Sequence, residues 1–152
     1  METECATPGS GNSCGIHIHS GFSCDDASFV GGHFHRVASD PWGAGQVTAD
    51  ADGNSVGSVS ITYGADIWLT VGRPLVIHGF DAGRRTCAFI GEKSGTTVTL
   101  NQAGTYPGYS GAQLSGTVNL IFTGTEVQMQ YDLSGTEDDC ATAGSKFENT
   151  GT

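Results

Sequence analysis

Basic side chains are scarce: six Lys and Arg stand against sixteen Asp and Glu, for a net charge of −10. A chain this acidic repels nucleic acid and anionic membrane, so neither is expected as a partner. No apolar run is long enough to cross a bilayer, and nothing resembles a secretory leader. Apolar stripes at a 3.6-residue period are also missing, which argues against a helical bundle. Met1 followed directly by Glu2-Thr3-Glu4-Cys5 reads as the start of an expressed fragment, with any native targeting signal outside it.

Glycine is plentiful instead, at 24 residues, and Thr, Ser and Val fill much of the space between glycines. That mixture predicts an all-β protein rich in turns. Val59, Ile61 and Tyr63 alternate with polar residues in 58–63, and Ile67, Leu69 and Val71 follow the same period. Val118, Leu120 and Phe122 alternate in 117–122, as do Val127, Met129, Tyr131 and Leu133 in 126–133. A period of two predicts strands with one buried and one wet face. Turn signals at Asp52-Gly53-Asn54, Tyr63-Gly64-Ala65-Asp66 and Thr123-Gly124-Thr125 separate these runs. The expected fold is an eight-stranded Greek-key barrel or sandwich in a single domain spanning 1–152.

Five cysteines in an acidic, β-rich chain point to an oxidising, extracellular compartment, and the odd count leaves one over. One segment occurs twice. Glu2-Thr3-Glu4-Cys5-Ala6-Thr7-Pro8-Gly9-Ser10 is echoed by Glu137-Asp138-Asp139-Cys140-Ala141-Thr142-Ala143-Gly144-Ser145. The echo predicts a tandem array, with 136–152 the start of the next copy and neighbouring repeats as partners. Residues 101–114, including Tyr106-Pro107-Gly108-Tyr109, read as a turn-rich linker.

The histidines carry the chemistry. In Cys14-Gly15-Ile16-His17-Ile18-His19-Ser20-Gly21 the two imidazoles lie two residues apart in a strand-like pattern. Positions i and i+2 of a strand share a face, so His17 and His19 point together while Ile16 and Ile18 enter a core. His33, in Gly32-His33-Phe34-His35, and His78, in Leu75-Val76-Ile77-His78-Gly79, keep similar company. Four such imidazoles point to a nitrogen-rich metal site, with copper the first candidate.

Gly15-Ile16-His17-Ile18-His19, Cys24, Gly32-His33-Phe34 and Val47-Thr48-Ala49-Asp50-Ala51-Asp52-Gly53 resemble the copper/zinc superoxide dismutases in residues and order. Gly72-Arg73-Pro74-Leu75-Val76-Ile77-His78 and Gly83-Arg84-Arg85-Thr86-Cys87-Ala88-Phe89-Ile90-Gly91 continue the resemblance, which is collinear over 14–91. Residues 115–135 look like the family's first hairpin moved to the C-terminus, which implies a circular permutation. A swapped dimer, with 115–133 completing a neighbour's barrel, is the alternative. The resemblance implies copper ligation by His17, His19, His33 and His78, with His33 in the place of the bridging, proton-carrying histidine. It implies an anion-orienting role for Arg84 and a Cys24–Cys87 disulfide. The pairing of Cys5, Cys14 and Cys140 stays open: Cys5–Cys14 is simplest, yet Cys140 could equally meet Cys14.

Two departures point to the copper-only branch of that family. Between the bridging histidine and the Val47-Thr48-Ala49-Asp50 turn, only His35 and Asp40 stand where the two-metal enzymes carry three further zinc ligands. The long electrostatic loop before the arginine is reduced to 79–83. The resemblance then implies one copper and no zinc, although His35 with Asp25, Asp26 or Asp40 offers a residual zinc route. A surface role is the other reading of His35. Asp40 is either the carboxylate anchoring His33 or a turn cap before Pro41. Arg85 alternates to the opposite face from Arg84 and reads as a bystander. The expected activity is copper-dependent dismutation of superoxide to dioxygen and hydrogen peroxide at a shallow, open site. The alternatives are a copper-binding extracellular structural or matrix module without turnover, and a lectin-like sandwich with incidental histidines.

Overall fold

The computed structural model describes residues 1–91, 96–100, 107 and 115–134. Seven strands are present among them: β1 Ile16–Ile18, β2 Ser55–Thr62, β3 Pro74–His78, β4 Arg84–Phe89, β5 Thr96–Leu100, β6 Ser115–Thr123 and β7 Glu126–Ser134. They form two antiparallel sheets, one in the order β1-β3-β4 and the other β2-β7-β6-β5. Ile16, Ile18, Leu75 and Ile77 of the first sheet meet Ile61, Val118, Leu120, Val127, Met129 and Leu133 of the second in one buried cluster. Trp42 and Tyr63 belong to the same cluster. The protein is therefore all-β, two sheets sharing an apolar interior.

Alternation explains the second sheet. In β7, Val127, Met129 and Leu133 are buried while Glu126, Gln130 and Asp132 are exposed. A two-residue turn joins β6 to β7, because Thr123 pairs with Glu126. Gly124 opens that turn at φ 59°, a conformation that strains any residue with a Cβ. Within this chain the hairpin pairs through β7 with β2.

One expected strand is a helical turn instead. Ile67–Thr70 forms α2, and the Asp66 carboxylate caps it by accepting from the Leu69 amide at 3.1 Å. Three alternating apolar residues fit a strand, but the cap closes a turn and leaves Trp68 and Leu69 exposed. A second short helix, α1 Ala27–Val30, is capped by Asp26 in the same manner. The linker 101–114 apart from Pro107, the segment 136–152 and Cys140 lie outside the described residues. No helix among the described residues is long and apolar enough to cross a membrane.

Candidate metal centre

β1 sends Ile16 and Ile18 into the core and leaves His17 and His19 on its other face. β3 runs antiparallel beside it, with His17 opposite Val76, and ends at His78. His33 does not lie in a strand; it reaches the group through one antiparallel bridge to His19. Each of His17, His19, His33 and His78 offers a ring nitrogen, and these four atoms lie within 4.8 Å of one another. His19 Nε2 and His78 Nε2 are 3.3 Å apart.

Three of the rings are anchored through the other nitrogen. His19 Nδ1 donates to the Gly31 carbonyl at 2.9 Å, and His78 Nδ1 to the Ala82 carbonyl at 2.8 Å. Both carbonyls come from residues at positive φ, 76° for Gly31 and 65° for Ala82. His33 Nδ1 donates to Asp40 Oδ2 at 2.7 Å. Carbonyls and carboxylates only accept, so the proton sits on Nδ1 and Nε2 is left as the ligating atom. Asp40 fills both of its expected roles, since its Oδ1 also accepts from the Trp42 amide at 2.9 Å. Burial opposes ionisation of Asp40, but the Trp42 amide and His33 outweigh it and hold the carboxyl below its usual range.

His17 is the exception. It is fully buried, and neither ring nitrogen has a hydrogen-bond partner among the described residues. The Trp42 backbone lies alongside the ring and only weakly favours a proton on it. Buried nitrogens without partners are costly unless a ligand satisfies them, and a metal ion would do so. Burial, followed by repulsion from the other imidazoles, pushes His17 down to about 2. Burial likewise lowers His19 to about 3 and His78 to about 4. These rings are neutral at physiological pH, the form in which imidazole binds metal without first losing a proton.

A polar cleft of about 350 Å³ opens onto the group and is lined by His19, His33, His78, Asp40 and Arg84, among others. Arg84 begins β4 and sits opposite His78, because the register shifts between Ile77 and His78. Its Nη2 donates to the Gly31 carbonyl at 2.7 Å, the same oxygen that anchors His19. One carbonyl therefore positions both a ligand candidate and the guanidinium. The loop carrying Gly31 is tied to β4 by a Cys24–Cys87 disulfide with Cα atoms 5.7 Å apart. Val30, Val76 and Cys87 form a small buried cluster beneath it.

Arg85 does not line the cleft. It is buried, its Nε is paired with Glu2 Oε1 at 2.5 Å, and its Nη2 with Asp81 Oδ1 at 2.9 Å. Glu2 also accepts from the Phe80 amide, so the N-terminal segment braces the 79–83 turn that presents the Ala82 carbonyl to His78. A Cys5–Cys14 disulfide fastens that segment beside β1. Sequence reasoning missed Glu2, Gly31, Ala82 and Trp42, none of which carries a metal-site signature of its own. His35 lies outside the four-imidazole group, with its Nδ1 3.0 Å from the Val37 carbonyl.

The donor set can hold a metal ion. No protein-family model, curated protein or solved structure matches the chain. What the centre can do follows from its donors: four imidazole nitrogens beside a polar cleft that a guanidinium also lines.

Proposed function

We propose that the chain binds one copper ion through His17, His19, His33 and His78 and disproportionates superoxide to dioxygen and hydrogen peroxide. The observation that carries this reading is the convergence of four imidazole nitrogens within 4.8 Å beside a cleft that Arg84 lines. An all-nitrogen donor set of this kind suits copper. When bound, copper supplies a one-electron couple, Cu(II) oxidising one superoxide and Cu(I) reducing the next.

The chain's residues do the rest. Arg84, held by the Gly31 carbonyl, offers a positive fork to a small anion entering the cleft. Two superoxides and two protons give one dioxygen and one hydrogen peroxide, so protons must be delivered in the cleft. His33 lines that cleft, with Nδ1 held by Asp40, so Nε2 can hold and hand over one proton whenever it is not ligating the metal. No zinc is included in this reading, and Asp40 takes the place of a second metal in orienting His33. The two sheets are read as a Greek-key barrel permuted relative to the superoxide dismutases, and the two disulfides as those of an extracellular repeat with neighbouring copies.

Copper-loaded protein, dialysed and assayed by pulse radiolysis, tests the reading. One copper per chain with catalytic decay of superoxide is the expected result. Stoichiometric copper without turnover would leave a copper-binding structural module, and absence of stoichiometric copper would leave neither.

A further inference from the structure

The cleft reaches three of the four imidazoles; His17 is fully buried and does not line it. Against His17 lies Trp42, with ring centroids 6.0 Å apart, and Trp42 packs on Tyr63 at 5.7 Å. Both separations are those of aromatic rings in contact, and both aromatic residues are fully buried. The Tyr63 hydroxyl is 2.8 Å from Thr70 Oγ1, which donates to the Asp66 carbonyl at 2.7 Å. Asp66 is exposed and caps α2, on which Trp68 is 81% exposed. Two adjacent, easily oxidised side chains thus lie against the one imidazole remote from the cleft, and a hydroxyl and a backbone carbonyl continue from Tyr63 to exposed Asp66. Leu or Phe would also suit an apolar core, but neither gives up an electron so readily.

We propose that Trp42 and Tyr63 form a one-electron relay that draws oxidising equivalents away from the ligand imidazoles when hydrogen peroxide reacts at the reduced centre. The inference rests on the copper reading above and concerns the product of that reaction, hydrogen peroxide, meeting the reduced centre again. Peroxide takes up two electrons and two protons to become two waters. One electron comes from Cu(I), which becomes Cu(II). Tyr63 gives the other through Trp42 and loses its phenolic proton, leaving a neutral tyrosyl radical. That proton leaves on the side away from the cleft, so both protons taken up by peroxide come from solvent. Burial raises the Tyr63 phenol above its ordinary range, so the proton stays until the electron leaves. The Thr70 hydroxyl then offers it a path toward exposed Asp66. Without the relay, the second electron is drawn from the imidazoles themselves, which become oxidised.

The test compares copper-loaded wild type, Tyr63→Phe and Trp42→Phe after ascorbate reduction and a pulse of hydrogen peroxide. Rapid-freeze electron paramagnetic resonance reads the radical, and peptide mass spectrometry reads oxygen added to His17, His19, His33 and His78. Wild type is expected to show a tyrosyl signal that Tyr63→Phe abolishes, with histidine oxidation rising several-fold in both variants. Tyr63→Phe removes only a hydroxyl, so it keeps the test decisive if Trp42→Phe, which loses its bond to the Phe34 carbonyl, fails to fold. Unchanged histidine oxidation and an unchanged radical in Tyr63→Phe, at equal copper content, would overturn the relay. Neither readout depends on superoxide turnover. A radical without dismutase activity sinks the dismutase reading alone, whereas failure to bind copper sinks both.

Discussion

A Cβ built on Gly15 would lie 2.1 Å from His17 Nε2 and 2.3 Å from its Cε1. No real Cβ approaches a ring so closely, so Gly15→Ala must displace His17 or β1. Copper affinity is expected to fall about 10–100-fold, the range seen when groups that orient ligands are lost, as read by competition titration with a chelator. Arg84→Ala tests the rim. The open cleft makes a loss of about tenfold in dismutase rate the expectation, below the 10²–10³ of an enclosed oxyanion donor, with copper content unchanged. Protonation gives a third check. Burial holds His17, His19 and His78 at about 2, about 3 and about 4 in the fold, against an ordinary value of 6.5. Between those values the unfolded chain binds more protons, so stability of the metal-free protein rises with pH and is lost as pH falls below about 6.5. Urea midpoints of metal-free protein should be lower at pH 5 than at pH 7; equal midpoints would contradict the neutral, buried imidazoles.

Elements place these side chains, and disulfides place the elements. The Cys24–Cys87 bridge spans 63 residues and joins the Gly31 loop to the strand that carries Arg84. A Cys24→Ala, Cys87→Ala double variant should lose about 2–4 kcal/mol in denaturant titration. Arg84 should lose its fixed position as well, so turnover falls more than copper content. α2 shows how a local contact overrides a pattern. Ile67, Leu69 and Val71 alternate as a strand would, yet the Asp66 carboxylate satisfies the Leu69 amide and closes one helical turn. By contrast β6 and β7 were legible to within two residues at each end, because long alternating runs against one buried face admit only one register.

The whole molecule sets the long-range field. With a net charge of −10, the protein as a whole repels an approaching anion, and Arg84 offsets that repulsion at the cleft. Salt screens that repulsion, so the superoxide rate constant should rise from low to physiological ionic strength. A steep fall with salt, measured by pulse radiolysis, would show attractive steering that this charge distribution does not supply. Long-range assembly also braces the centre from outside. Glu2 reaches Arg85, 83 residues away, and steadies the turn whose Ala82 carbonyl anchors His78.

His17 and His19 on one face of β1, with Ile16 and Ile18 on the other, followed from the sequence, because strand geometry is local and has a period of two. The alternating hairpin and the four imidazoles as a set were legible for similar reasons. Only the tertiary structure decided which backbone carbonyls hold His19 and His78, that Arg85 is buried against Glu2, and that Cys5 rather than Cys140 meets Cys14. Those outcomes depend on distances between segments far apart in the chain, and no local period of residues encodes such distances.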